Sequence, residues 1–172
     1  ESNKISFYNL DGKSISKSLQ LGMDFSYREF LTLSAAYKNY IIRSNYNSGY
    51  LYKPLQPRNI VFINAGLESS IKNKSQWKWD LTINLIGDQR LVETIRDYEN
   101  KTSPKYNLIN SQITRVFSNK FEIYLGAENI GNYKQINPII SSENPFSPNF
   151  DSAQIYAPIF GRMIYSGLRL KL

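Results

Sequence analysis

Cysteine and histidine are both absent from the 172 residues of the chain. Their absence excludes disulfides, thiolate sites and imidazole ligands, and it leaves neither a Ser-His nor a Cys-His catalytic pair to assemble. Long apolar runs are lacking too. Mean hydropathy is −0.42, and no stretch approaches the roughly 18 uninterrupted apolar residues of a transmembrane helix. Any membrane crossing by this chain must therefore be made by strands. The net charge of +7 is spread among Asp and Glu with no recognisable nucleic-acid motif, so no nucleic-acid partner is expected. Glu1 is not an initiator residue, and the chain is expected to be a mature product or a piece of a longer protein.

Aromatic residues are what the chain has in abundance: 13 Tyr, 9 Phe and 2 Trp. About half of them fall within segments that alternate apolar and polar side chains, the period of a strand with two unlike faces. Seven such segments are expected, near 18–27, 30–43, 60–70, 77–86, 106–117, 121–132 and 162–172. In the first, Leu19, Leu21, Met23, Phe25 and Tyr27 alternate with Gln20, Gly22, Asp24 and Ser26. The fourth sets Trp77, Trp79, Leu81, Ile83 and Leu85 against Lys78, Asp80, Thr82 and Asn84, and the aromatics at its start suit an interfacial girdle. The fifth is mixed.

The connections alternate short and long: 28–29, then 44–59, 71–76, 87–105, 118–120 and 133–161. In an up-and-down meander every second connection emerges at the same end, so the long ones gather at one end and the tight turns at the other. That asymmetry is typical of outer-membrane barrels. All seven prolines fall in the long connections, where no ladder N–H is required of them.

Two stretches carry a resemblance to a family. Glu122-Ile123-Tyr124-Leu125-Gly126-Ala127-Glu128-Asn129-Ile130-Gly131-Asn132-Tyr133 resembles the penultimate strand of TonB-dependent outer-membrane receptors. Tyr156-Ala157-Pro158-Ile159-Phe160-Gly161-Arg162, running into the last strand, looks like their last loop and strand. Pro54-Leu55-Gln56-Pro57-Arg58 looks like the family's approach to a barrel strand, and the surroundings of Asn137-Pro138 and Phe150-Asp151 are similar to receptors of the Bacteroidetes type. Tyr165, Gly167, Leu170 and Leu172 resemble the closing signal that barrel-insertion machinery reads by pairing with an exposed strand edge.

The resemblance implies an all-β, antiparallel, up-and-down transmembrane barrel, of which residues 1–172 would form about seven C-terminal strands. Receptors of this kind close barrels of about 22 strands around a plug, and neither the plug nor its TonB-binding box is recognisable here. The implied task is TonB-dependent uptake of a scarce nutrient such as an iron-siderophore, haem, cobalamin or glycan. The implied partners are the remaining strands and plug of the same receptor, TonB through that plug, outer-membrane lipids and the insertion machinery, and the implied location is the bacterial outer membrane. A TonB-independent outer-membrane pore and a soluble β-sheet binding module remain open alternatives.

Charges expected on the wet face are Asp24, Glu68, Lys78, Asp80, Glu122, Glu128, Arg169 and Lys171, matching the polar interior of a barrel. Asp80 and Glu122 form a conceivable acid–base pair, but nothing in the sequence places them together, and no enzymatic activity, catalytic residue, metal site or resident cofactor is expected. Tyr50, Tyr52, Arg96, Tyr98, Phe146, Phe150 and Tyr156 in the long connections are the candidate ligand contacts. Aromatics beside polar groups offer large contact area at low entropic cost; packing of loop on loop accounts for them equally well.

Overall fold

A computed structural model describes residues 11–46, 49–92, 102–118 and 120–171. Every regular element among them is a strand: β1 (Ser14–Tyr27), β2 (Leu31–Tyr46), β3 (Gly49–Tyr52), β4 (Asn59–Glu68), β5 (Gln76–Ile86), β6 (Tyr106–Ser118), β7 (Phe121–Glu128) and β8 (Met163–Leu170). The chain is thus an all-β antiparallel protein, with each long strand hydrogen-bonded to the next in the order β1-β2-β4-β5-β6-β7-β8. β1 and β8 stay apart, so among the described residues the sheet is open with two unpaired outer edges.

The seven expected strands correspond to the seven long ones with corrected bounds: β1 begins at Ser14 rather than 18, and β2 runs on to Tyr46 rather than ending at 43. β3 lies inside the expected 44–59 loop, where Gly49–Tyr52 folds back on the end of β2 and pairs Tyr52 with Arg43. β7 ends at Glu128 instead of 132, because Asn129 and Asn132 adopt left-handed φ of 50° and 53° and turn the chain out of the sheet. The last strand begins at Met163 and stops at Leu170.

Turn chemistry accounts for the tight ends. Asn73 and Lys74 both take left-handed φ (51° and 62°) between the bridged pair Lys72 and Ser75. That conformation suits the right-handed twist of the flanking strands and favours Asn at its first central position. Arg28, at φ 52°, reverses the chain between β1 and β2. As the connection lengths predict, these turns lie at one end of the sheet and the three long connections at the other.

The sheet has no hydrophobic core of its own. Ala157, in a loop, is the sole buried apolar residue among those described. The accessible surface is 12766 Å², against about 8,700 Å² for a compact monomer of this mass by the usual scaling. A chain of this size ordinarily buries its apolar face against a second layer; among the described residues that face has no internal partner.

Candidate functional site

The register assembles the separate alternations into one continuous apolar surface, since directly paired residues point to the same side of the sheet. One row across it reads Met23, Ala35, Ile63, Ile83 and Ile109. The next reads Phe25, Leu33, Ala65, Leu81, Ser111, Ala127 and Ile164. The mixed β6 joins through Ile109 and Ile113. Met23 is 68% exposed and Leu168 64%, so this surface meets solvent from one edge strand to the other.

Aromatic side chains border the surface toward the tight turns. Trp79 donates its indole N–H to Ser111 Oγ at 2.7 Å, the Arg115 guanidinium lies 4.8 Å from the Trp77 ring, and Phe117 stacks on Phe121 at 5.5 Å. Toward the long connections the surface turns polar: Tyr37 donates to Asn59 Oδ1 at 2.7 Å, beside Asn39 donating to the same oxygen at 2.8 Å.

The opposite face carries cross-strand polar pairs. Ser34 donates to Asp24 Oδ1 at 2.6 Å, Asn64 to Thr82 Oγ1 at 2.9 Å, and Gln76 and Lys78 both donate to the Glu68 carboxylate. Arg169 pairs with Glu122. Glu128 ends β7 on the same face, and Lys171 follows β8. Asp80 and Glu122 are not brought together: Asp80 stands opposite Gln112 and Glu122 opposite Val116, four positions apart along β6, with Glu122 already held by Arg169.

At the β7–β8 seam two tyrosines lie over two glycines. Gly167 is paired directly with Tyr124, and a Cβ on Gly167 would fall on the Tyr124 phenol. Gly126 is paired with Tyr165, and a Cβ there would fall on that ring. The rings meet edge to face at 6.3 Å, and Tyr165 donates to Gln112 Oε1 on β6 at 3.1 Å. Tyr165 and Gly167 therefore have packing roles, while Leu170 lies on the apolar face and Leu172 is outside the described residues.

Among the described residues the most buried part is the cap formed by the long connections, and apart from Ala157 its buried groups are polar, Gln89, Ser103, Gln135 and Gln154 among them. These side chains take the place of backbone pairing. Gln135 Oε1 accepts from the N–H groups of Tyr156 and Ala157, while its Nε2 donates to Gln154 O at 2.7 Å. Gln154 in turn accepts from Val92 N and donates to Val92 O. Asn129 accepts from Tyr133 N through Oδ1 and donates to Tyr133 O, closing the turn after β7. No sequence signal distinguishes these amides from the chain's exposed ones, because each matters only through a partner far along the chain.

The structure scatters the candidate ligand contacts. Phe146 stands 98% exposed and Tyr50 40%. Phe150 is half-buried, and Arg96 and Tyr98 lie outside the described residues. Tyr52 and Tyr156 are tied into the cap through consecutive residues, since Arg90 donates to Tyr52 O at 3.0 Å and Gln89 to Tyr156 O at 3.1 Å. Burial pushes the Tyr156 phenol above the ordinary range, with Tyr133 adding to it. Tyr52 goes the other way: Arg43, donating to its hydroxyl at 2.6 Å, lowers the phenol pKa, and Arg58 adds to the effect. Tyr52 is therefore expected to ionise below the reference value of 10.0. In a phenolate absorbance titration, Arg43→Gln should shift that early component upward; an unchanged titration would show that the contact does not form.

The arrangement offers an extended apolar surface, a paired polar surface and a buttressed loop cap, and no group of His, Cys, Asp or Glu suited to a metal occurs among the described residues. No family model matches the chain, and neither the curated proteins nor the solved structures give a match.

Proposed function

We propose that this chain is a wall segment of an outer-membrane barrel, and specifically the C-terminal part of a TonB-dependent nutrient receptor. One observation carries the barrel reading: a seven-strand meander with a continuous apolar face and no internal core to cover it. Lipid covers such a face, while a hydrated lumen suits the opposite face with its Asp24–Ser34, Glu68–Lys78 and Glu122–Arg169 pairs. From Trp77 to Leu85 the apolar strip on β5 runs about 26 Å along the strand, which at a tilt of about 40° covers about 20 Å of the roughly 25 Å apolar band of such barrels. The free edges of β1 and β8 would pair with further strands, because an unpaired edge is untenable in hydrocarbon.

The receptor assignment rests on the resemblance of residues 121–172, joined to the asymmetry of tight turns and long, buttressed connections. In this reading the capped loops face outward and capture the nutrient, transport is driven by TonB acting on a plug, and the chain performs no catalysis itself. Fractionation of source cells with an antibody against residues 144–152 tests it. The expected result is a band in the outer membrane several-fold larger than 19.9 kDa. A soluble species of this chain's own mass, monodisperse without detergent, would overturn it.

A further inference from the structure

Residues 88–92, just after β5, run through the cap with a different long connection on each flank. Toward the connection between β2 and β4, Leu55 N–H donates to Arg90 O at 2.8 Å, Arg90 Nη1 donates to Tyr52 O at 3.0 Å, and Asp88 pairs with Arg58. Toward the connection between β7 and β8, Gln89 Nε2 donates to Tyr156 O at 3.1 Å, and Val92 both donates to and accepts from the Gln154 amide. The return of their own connection closes on them as well: Ser103 N–H donates to Gln89 O at 2.8 Å, and Ser103 Oγ accepts from Gln89 N–H at 3.0 Å. Gln89 and Ser103 are each 3% exposed and Gln154 6%, so these bonds are made away from water.

We propose that residues 88–92 are a rib that couples the three long connections into one cooperative unit, which orders and opens as a whole. The rib lies outside the named strands, so what fixes its backbone is the set of bonds on its two flanks. Each of those bonds contributes modestly, whereas holding each residue in one conformation costs entropy. Lifting either neighbour removes about half of the set, and the other neighbour is then tied to a segment free to move. Contiguous units of this kind open together. That the unit serves nutrient capture rests on the reading above; for that role it presents a loop surface ordered before the ligand arrives, which leaves less to be ordered on binding.

The test is amide hydrogen exchange of the full chain in detergent, read at Leu55, Val92 and Tyr156, one in each long connection, with Ile83 in β5 as the reference for the sheet. The expected result is similar protection at the three, below that at Ile83. Gln154→Leu, which removes both bonds to Val92, should raise exchange about tenfold, the size of a lost buried hydrogen bond, at all three sites. Leu55 is the decisive one, because it lies in the connection on the far flank of the rib from Gln154. Gln154→Glu keeps an acceptor for Val92 N–H and should raise the three rates together by a smaller factor. Ile136→Ala, exposed in the same connection as Gln154, should leave them unchanged. Faster exchange at Val92 and Tyr156 with Leu55 unchanged would show the connections opening singly and overturn the proposal. Equal acceleration at Ile83 would overturn it too, as loss of the whole sheet. These rates do not depend on where the sheet resides in the cell, so the coupling and the membrane reading fail separately.

Discussion

An arginine in place of Ile83 is expected to cost about 2–4 kcal/mol in a bilayer, the penalty for this residue near the midplane on the lipid side of a barrel. An arginine in place of the adjacent Asn84 should change stability by no more than about 0.5 kcal/mol, as for an ordinary surface substitution. The contrast follows from the register. Ile83 sits between Ile63 and Ile109 in the middle of the apolar surface, whereas Asn84 points to the polar side between Phe62 and Leu108. Size and charge change in a similar way at both positions, so only the medium facing each side can separate them. The comparison also tells lipid from water. In an isolated sheet in water Ile83 is only partly covered, and both variants should then behave alike. Unfolding by urea after reconstitution into vesicles measures the difference, and near-equal stabilities would sink the bilayer reading.

Gly167→Asp is expected to lower the yield of folded barrel and to destabilise what does fold by about 1–3 kcal/mol, the usual cost of forcing atoms into an occupied space. The occupant is the Tyr124 ring, which covers the Gly167 backbone and meets Tyr165 edge to face. Two explanations of Gly167 make different predictions. As part of a signal read by insertion machinery, it should be needed whatever stands at position 124. As a seat for Tyr124, it should tolerate a side chain once the ring is removed. The second variant to make is therefore Gly167→Ala with and without Tyr124→Ala, followed by heat-dependent gel mobility and urea unfolding in detergent. The structure favours the seat: Tyr124→Ala is expected to absorb most of the cost of Gly167→Ala, and strict additivity of the two changes would return Gly167 to the signal.

The sequence by itself determined the seven long strands, their faces and the placing of the long connections at one end. These properties are local: a period of two is written in adjacent residues, as in Trp77–Leu85, and turn chemistry such as Asn73-Lys74 marks where it breaks. It also determined what is absent, since a chain without Cys or His has no thiolate or imidazole chemistry to organise. The tertiary structure alone decided which alternations line up across neighbouring strands, and so whether seven modest apolar stripes would form one surface. It alone seated Tyr124 on Gly167, because that contact depends on a register spanning more than thirty intervening residues. The long connections were the least legible region. Their order rests on Gln89, Gln135 and Gln154, whose amides imitate backbone pairing across up to 67 residues of chain, and a glutamine carries no mark of its distant partner. Arg43 and Tyr52 fall under the same limit: the β3 fold-back that sets one beside the other is a property of the folded backbone, and only there do the guanidinium and the phenol meet.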